Sequence, residues 1–256
     1  MILLHFFIIA LNFLTRISII KTQNWKTEDF SKSVKFFPLI GGILGLLYSG
    51  FAFIILFNDY VVLPPHIFSA LLIFIIFYLS GPLFFDGFMD TMDGIFSGRE
   101  REKILEIMKD SRVGANAVIT FGIYLILLYG AFLDIDKNII VFSLLSAPVI
   151  SHFMVVVSIL FFPYARKEGI GKMFEVNNKI STFLCAVFFV VAFIFLCGLV
   201  GLIALLLSLI FTVLFNKYLI NILGGLTGDT YGCVAVISFL LTQIIFAVFN
   251  NFFKLL

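Results

Sequence analysis

Apolar residues fall into blocks separated by short polar stretches: Ile2 to Ile20, Phe36 to Phe57, Ile67 to Phe85, Val113 to Leu133, Ile139 to Phe162, Ile180 to Cys197, Leu199 to Phe215 and Cys233 to Asn250. A helix rises about 1.5 Å per residue, so about 20 residues cross the hydrocarbon core of a bilayer. The pattern predicts an all-α, polytopic integral membrane protein with seven or eight transmembrane helices. Asn12 and Arg16 interrupt the first block, which therefore either spans or lies in the interface. No positive charge precedes that block and no small-residue cleavage site follows it, so it is expected to be retained rather than removed as a signal peptide.

The polar loops are of two kinds. Those at Lys21 to Lys35, Asp86 to Arg112, Pro163 to Lys179 and Asn216 to Gly232 hold most of the Lys and Arg. The turns near Asn58 to His66, Asp134 to Asn138 and Gly198 hold almost none, Lys137 excepted. The positive-inside rule puts the basic loops in the cytoplasm, which predicts a multi-pass protein of the cytoplasmic membrane with its polar site facing the cytoplasm. Within the second basic loop, Ile104, Leu105, Ile107 and Met108 recur at helical spacing. They predict a short amphipathic helix on the membrane surface that holds Arg99, Arg101, Lys103, Lys109 and Arg112 near the neighbouring acids.

Composition supports this class. The chain has 256 residues, 62% hydrophobic and 12% charged, with a mean hydropathy of +1.16, outside the range of soluble domains. A net charge of +2 is too small to imply nucleic acid binding. Cys185, Cys197 and Cys233 have no paired spacing and read as small apolar residues in helices. His5, His66 and His152 are isolated and read as structural or interfacial, and Trp25 as an interface anchor.

Chemistry concentrates in DGFMDTMDG, Asp86 to Gly94. At offsets of zero, four and seven, Asp86, Asp90 and Asp93 point within about 60° of each other on a helix. Like charges that close require raised pKa values or a cation, and oxygen donors without His or Cys favour Mg²⁺ or Mn²⁺ over Zn²⁺. Each Asp at mid-bilayer costs about 2.5–3.5 kcal/mol, so the cluster is expected at the interface, at the end of a helix continuous from Ile67 through Gly94.

Three further segments carry polar groups. In LEIMKDSRVGANAV, Asp110 and Ser111 suit an N-cap for the next helix, while Asp110 and Arg112 equally suit a second carboxylate and a phosphate-binding guanidinium. In GGLTGDTYG, the spacing of Gly224, Gly228 and Gly232 suits close helix packing. Asp229 between Thr227 and Thr230 is left unexplained by packing, and a glycine-rich bend beside an acid suits a phosphate and its metal. In PYARKEG, Lys167, like Lys172 and Lys179, reads as a topology signal, and Arg166 is placed to reach an anionic ligand.

Taken in this order, NFLTRI, KFFPLIGGILG, DGFMDTMDG, SGRERE to LEIMKDSRVGANAV, PYAR and GGLTGDTYG resemble the cobalamin synthase family, the adenosylcobinamide-GDP ribazoletransferases, over nearly the whole chain. The resemblance implies a single transmembrane catalytic domain over residues 1–256. Its Mg²⁺-dependent reaction joins adenosylcobinamide-GDP to α-ribazole or its 5′-phosphate, giving adenosylcobalamin or its phosphate and GMP. It further implies Asp86, Asp90, Asp93 and Asp229 as metal ligands, with Asp110 a further donor. Asp90 is then the base for the ribose 3′-hydroxyl, and Arg112 and Arg99 stabilise the transferring groups. Arg166, Asp110, Ser111, Thr227, Gly228 and Thr230 line the substrate. Partners are those substrates and membrane lipid, with no nucleic acid and with self-association left open. The chain departs from the family pattern at Phe84 and Phe85, where a His and a Glu are frequent, and at Phe239, where a Glu is common. Other membrane transferases of diphosphate-activated donors, of CDP-alcohol or prenyl type, share the spaced acids, and a cation-coupled transporter is the alternative from another class.

Overall fold

Two glycines at positive φ decide how the apolar blocks become helices. Gly81 (φ 75°) and Gly198 (φ 60°) occupy a region of backbone space that residues with a Cβ rarely enter. The computed structural model describes residues 2–17, 26–58, 60, 62–166 and 169–250. Lys21, Trp25 and Lys167 lie outside them, as do the interface and topology roles expected of those residues.

The helices are α1 (Ile2–Leu14), α2 (Thr27–Ser33), α3 (Phe37–Leu56), α4 (Pro65–Ser80), α5 (Leu83–Phe96), α6 (Arg101–Ile107), α7 (Ala115–Asp134), α8 (Ile140–Phe161), α9 (Lys179–Ile194), α10 (Gly198–Leu223) and α11 (Gly228–Val248), with short 3-10 turns at Val34–Phe36, Ile170–Phe174 and Phe195–Cys197. Five segments are long and apolar enough to cross a membrane: Glu28–Leu56, Ala115–Asp134, Ile140–Phe161, Lys179–Leu223 and Gly228–Val248. The pair α4 and α5 passes the same test only when taken together, across a bend of 98° that marks a broken span or a re-entrant loop. This is the architecture of a multi-pass membrane protein.

The helix described within the first block is shorter than the segments that pass as spans. α1 has 13 residues, about 20 Å of helix, and lies along α2, with His5 Nε2 3.3 Å from Asp29 Oδ2 and Phe13 packed edge-on against Phe30. The 45-residue segment Lys179–Leu223, by contrast, makes two passes. Phe183 near the start of α9 packs on Phe161, and Cys197 Sγ reaches the Phe142 carbonyl at the opposite end of α8. After Gly198 the chain returns, and Asn216 Nδ2 donates to Ser158 Oγ at 2.8 Å. α9 therefore runs antiparallel to α8 and α10 parallel to it. Counting both legs brings the number of passes near the seven or eight expected.

α8 is the central helix and is buried along almost its whole length. α3 packs on it at backbone contact: a Cβ on Gly45 would stand 2.6 Å from the Leu145 carbonyl oxygen. Ser49 Oγ donates to the Val141 carbonyl at 2.7 Å, which fixes the antiparallel register.

One expectation is corrected. No continuous helix runs from Ile67 to Gly94, because Gly81 and Pro82 end α4 and α5 leaves at 98° to it. The bend is held from two sides. Ser80 Oγ pairs with Tyr48 Oη at 2.7 Å, and the Arg16 N–H donates to the Leu79 carbonyl at 3.0 Å. α5 thus runs crosswise near the end of the bundle where the polar loops collect, and it carries the acids there.

Candidate functional site

Three sequence motifs meet because glycine removes the side chains between them. A Cβ on Gly87 would lie 2.7 Å from the Asp229 carbonyl oxygen and 3.0 Å from its Cα, and a Cβ on Gly232 would lie 2.8 Å from the Phe84 carbonyl oxygen. α5 and α11 consequently touch through their backbones, and Asp86, beside Gly87, comes close to Asp229. The third motif is joined by an isolated parallel bridge between Tyr164 and Leu226. Its bonds run from Leu226 N–H to the Pro163 carbonyl (2.8 Å) and from Ala165 N–H to the Leu226 carbonyl (2.7 Å).

That bridge delivers Arg166. Its Nη2 stands 3.2 Å from Asp229 Oδ2, with both side chains largely buried. Nη2 is engaged only by that contact, and Arg166 Nε is buried without an acceptor among the described residues. A buried guanidinium with unused donors is a strong anion receptor. Thr227 and Thr230 hold the other side of Asp229. They cap α11 reciprocally, Thr230 N–H to Thr227 Oγ1 at 3.3 Å and Thr227 N–H to Thr230 Oγ1 at 2.8 Å, and Thr227 Oγ1 also donates to Asp229 Oδ2 at 3.3 Å. Both threonines are fully buried, and Thr227 holds Asp229 directly while Thr230 completes the cap.

The electrostatics centre on Asp90. The charges of Asp86, Asp229 and Asp93 act on it, opposed by Arg166. No hydrogen bond or ion pair forms at the Asp86 or Asp90 carboxylates among the described residues. Asp86 and Asp229, with Gly87 and Gly228, also line a cavity of about 160 Å³ whose remaining wall comes from α1, α3, α8, the Ile170–Phe174 turn and further residues of α5 and α11.

Asp93 also serves α7. Its carboxylate accepts hydrogen bonds from the Gly114 N–H and from the Ala117 N–H (3.1 Å), capping the N-terminus of α7 from a neighbouring helix. Asp93 is near enough for its charge to act on Asp90, and its carboxylate also takes a structural role that the motif alone does not predict, as the cap of α7. Asp93→Ala is expected to lower stability by about 1–2 kcal/mol while the assembled site survives. Thermal unfolding in detergent alongside turnover checks this.

The loop after α5 is also arranged differently from expectation. Arg112 is 88% exposed and paired with Asp110 at 2.6 Å. Its side-chain hydrogen bonds hold the Asp110 carboxyl down to about 2. Ser111 and Arg99 are exposed, and the Arg99 N–H donates to Ser97 Oγ at 3.4 Å. The structure does not bring Arg99, Asp110, Ser111 or Arg112 into contact with Asp86, Asp90 or Asp229. Arg101, expected only as part of the basic surface, instead donates from Nε to the Leu223 carbonyl at 2.8 Å and closes the C-terminus of α10 above Gly224 (φ 73°). The amphipathic helix itself is present as α6, with Ile104 and Met108 buried against Gly94.

Phe84, Phe85 and Phe239, where the chain departs from the family pattern, all line one small internal cavity with His152. The His152 ring meets Phe84 edge-on at 5.2 Å, and its Nδ1 lies 2.7 Å from the Pro148 carbonyl oxygen.

The donor set suits a hard divalent cation. Asp86, Asp90 and Asp229 offer only oxygen, and their mutual repulsion is relieved by positive charge. No group of three or more His, Cys, Asp or Glu side chains among the described residues is placed to hold a metal ion, so any cation here would rely on fewer carboxylates. Mg²⁺ commonly takes one or two carboxylates and completes its shell with water and phosphate oxygens.

The sequence matches the family described as Cobalamin-5-phosphate synthase over residues 6–247. It is similar to the adenosylcobinamide-GDP ribazoletransferase of Desulfitobacterium hafniense (strain Y51), 34% identical over 242 residues that cover 91% of this chain and 92% of that protein. The like-named protein of Fusobacterium nucleatum subsp. nucleatum is 34% identical over 282 residues, covering 96% and 98%. That of Brevibacillus brevis (strain 47) is 36% identical over 234 residues, covering 89% and 92%. No solved structure matches the chain.

Proposed function

The chain belongs to the cobalamin-5-phosphate synthase family, and from that premise we propose that it is an adenosylcobinamide-GDP ribazoletransferase working at the cluster of Asp86, Asp90, Asp229 and Arg166. The acceptor is α-ribazole or its 5′-phosphate. Its ribose 3′-hydroxyl attacks the phosphorus borne by the cobinamide, the new P–O bond forms, and the bond to GMP breaks. Family membership sets aside the transporter and the other diphosphate transferases.

The observation that carries this assignment is the buried Arg166 guanidinium, with unused donors, beside carboxylates from two other motifs. A diphosphate needs positive charge aimed at its oxygens, and the carboxylates need a cation between themselves and that diphosphate. Arg166 supplies the first, and it orients Asp229 in the same contact. Asp86, Asp90 and Asp229 are the carboxylates from which Mg²⁺ would draw its protein ligands, and it would offset the charge of the diphosphate and of the leaving GMP. Asp90, half-buried and without a hydrogen-bond partner among the described residues, takes the proton of the attacking hydroxyl. Basic residues on the loops around this end of the bundle support a cytoplasmic orientation, where a soluble nucleotide donor is accessible.

The test is a reaction in proteoliposomes with adenosylcobinamide-GDP, α-ribazole and Mg²⁺, following GMP and cobalamin together. Equimolar release is expected from the wild type, with a loss of about 10²-fold or more in Asp86→Ala. Undiminished turnover in the variant would reject the site, and absence of both products from folded wild-type protein would reject the function.

A further inference from the structure

Building on the transferase reading, we propose that the cavity beside Asp86 and Asp229 seats the flat apolar base of the acceptor, the benzimidazole ring system of ribazole, with the two carboxylates at its ribose end. The volume, about 160 Å³, is on the scale of a bicyclic ring and well below the roughly 300–1,000 Å³ of pockets that enclose a drug-sized ligand. A corrin ring does not fit it, and neither does a whole guanosine diphosphate.

The wall chemistry chooses between the remaining rings. Phe13, Phe37, Phe84 and Phe174 contribute aromatic faces, and Val155 and Ile159 close the side formed by α8. Phe174 is the hub of this wall, with ring centroids 4.9 Å from Phe13 and 5.6 Å from Phe37. Among the described residues, the charged groups of the lining are Asp86 and Asp229, with Tyr231 the one other polar side chain, and the backbone contact between α5 and α11 holds the two acids together on one side. Guanine or adenine seated here would set most of its exocyclic donors and ring acceptors against an apolar wall with the Tyr231 hydroxyl as the one neutral polar side-chain partner, a penalty that disfavours polar bases. A dimethylbenzimidazole has no such edge groups. Its N-glycosidic bond directs the ribose toward the open, charged side, and so brings the 3′-hydroxyl to the carboxylates that act on it.

The experiment measures KM for each substrate separately, in proteoliposomes, for wild type, Phe174→Leu and Val155→Phe. The first variant loosens the aromatic wall and the second fills the cavity from a helix that carries none of the proposed catalytic groups. Expected is a rise of about tenfold or more in the KM for α-ribazole in both, with the KM for adenosylcobinamide-GDP unchanged. Acceptors with a purine base should lose less than α-ribazole does, because they gain little from the cavity to begin with. A change confined to the donor KM, or an unchanged acceptor KM in correctly folded Val155→Phe, overturns the proposal, the latter being also the result for a cavity that holds only a lipid chain. Wild-type protein that releases no GMP from the two substrates would instead overturn the transferase reading itself.

Discussion

Arg166→Ala is expected to lower kcat by about 10²–10³-fold, with protein that folds and inserts normally. Nη2 meets only Asp229 and the buried Nε has no acceptor among the described residues, so the native structure gains little from the side chain beyond the contact with Asp229. Its unused donors point to a group that arrives with the substrate. Arg166→Lys should recover only part of the loss, since an ammonium replaces the planar fork with a point charge. Arg112→Ala supplies the contrast. Arg112 is solvent-exposed and paired with Asp110, and exposed ion pairs contribute little, so turnover close to wild type is expected. Steady-state release of GMP, measured in one membrane preparation, decides between the two arginines: equal losses in both would return Arg112 to the site.

Gly87→Ala is expected to abolish turnover through geometry alone. The added methyl meets main-chain atoms of Asp229, its carbonyl oxygen at 2.7 Å and its Cα at 3.0 Å, and backbone cannot rotate aside as a long side chain would. α11 must move away from α5. Overpacking of this kind costs about 1–3 kcal/mol, and the displacement separates Asp86 from Asp229. Gly50→Ala is the matched control, because nothing lies within 4 Å of its Cβ position and Ala favours the helix interior. Turnover and detergent melting temperature should both fall for Gly87→Ala and both hold for Gly50→Ala. Normal activity in Gly87→Ala would mean that the close approach of α5 and α11 is not needed for the reaction.

The apolar blocks made most of the fold legible. Val113 to Leu133 and Ile139 to Phe162 correspond closely to α7 and α8, because unbroken hydrophobic runs of bilayer length have few alternatives to a helix. The block ending at Phe85 misled, since hydropathy continues smoothly through Gly81 and Pro82 whereas the backbone does not. That Gly-Pro pair was the available signal. Helical periodicity correctly put Asp86 and Asp90 on one side, yet it carries no information about which neighbouring element meets that side. The part that Asp93 takes as the cap of α7 was therefore not legible. Arg166 and Asp229 were both conspicuous in their own motifs, but the bridge between Tyr164 and Leu226 that pairs them joins segments distant in sequence, which no local pattern reports. Of the two readings open for the glycines of GGLTGDTYG, the structure shows the packing: Gly232 packs on Phe84 and Gly87 on Asp229.

The account stands on the convergence of three motifs at one anion-binding site, and a double-substitution cycle on turnover addresses that most directly. Asp86 comes from the α5 motif and Arg166 from the loop after α8. Residues that act as a unit lose their function together, so Asp86→Ala combined with Arg166→Ala should be no more than about tenfold slower than the worse single variant. Losses that multiply in full would show two independent sites and contradict the convergence on which the proposed reaction rests.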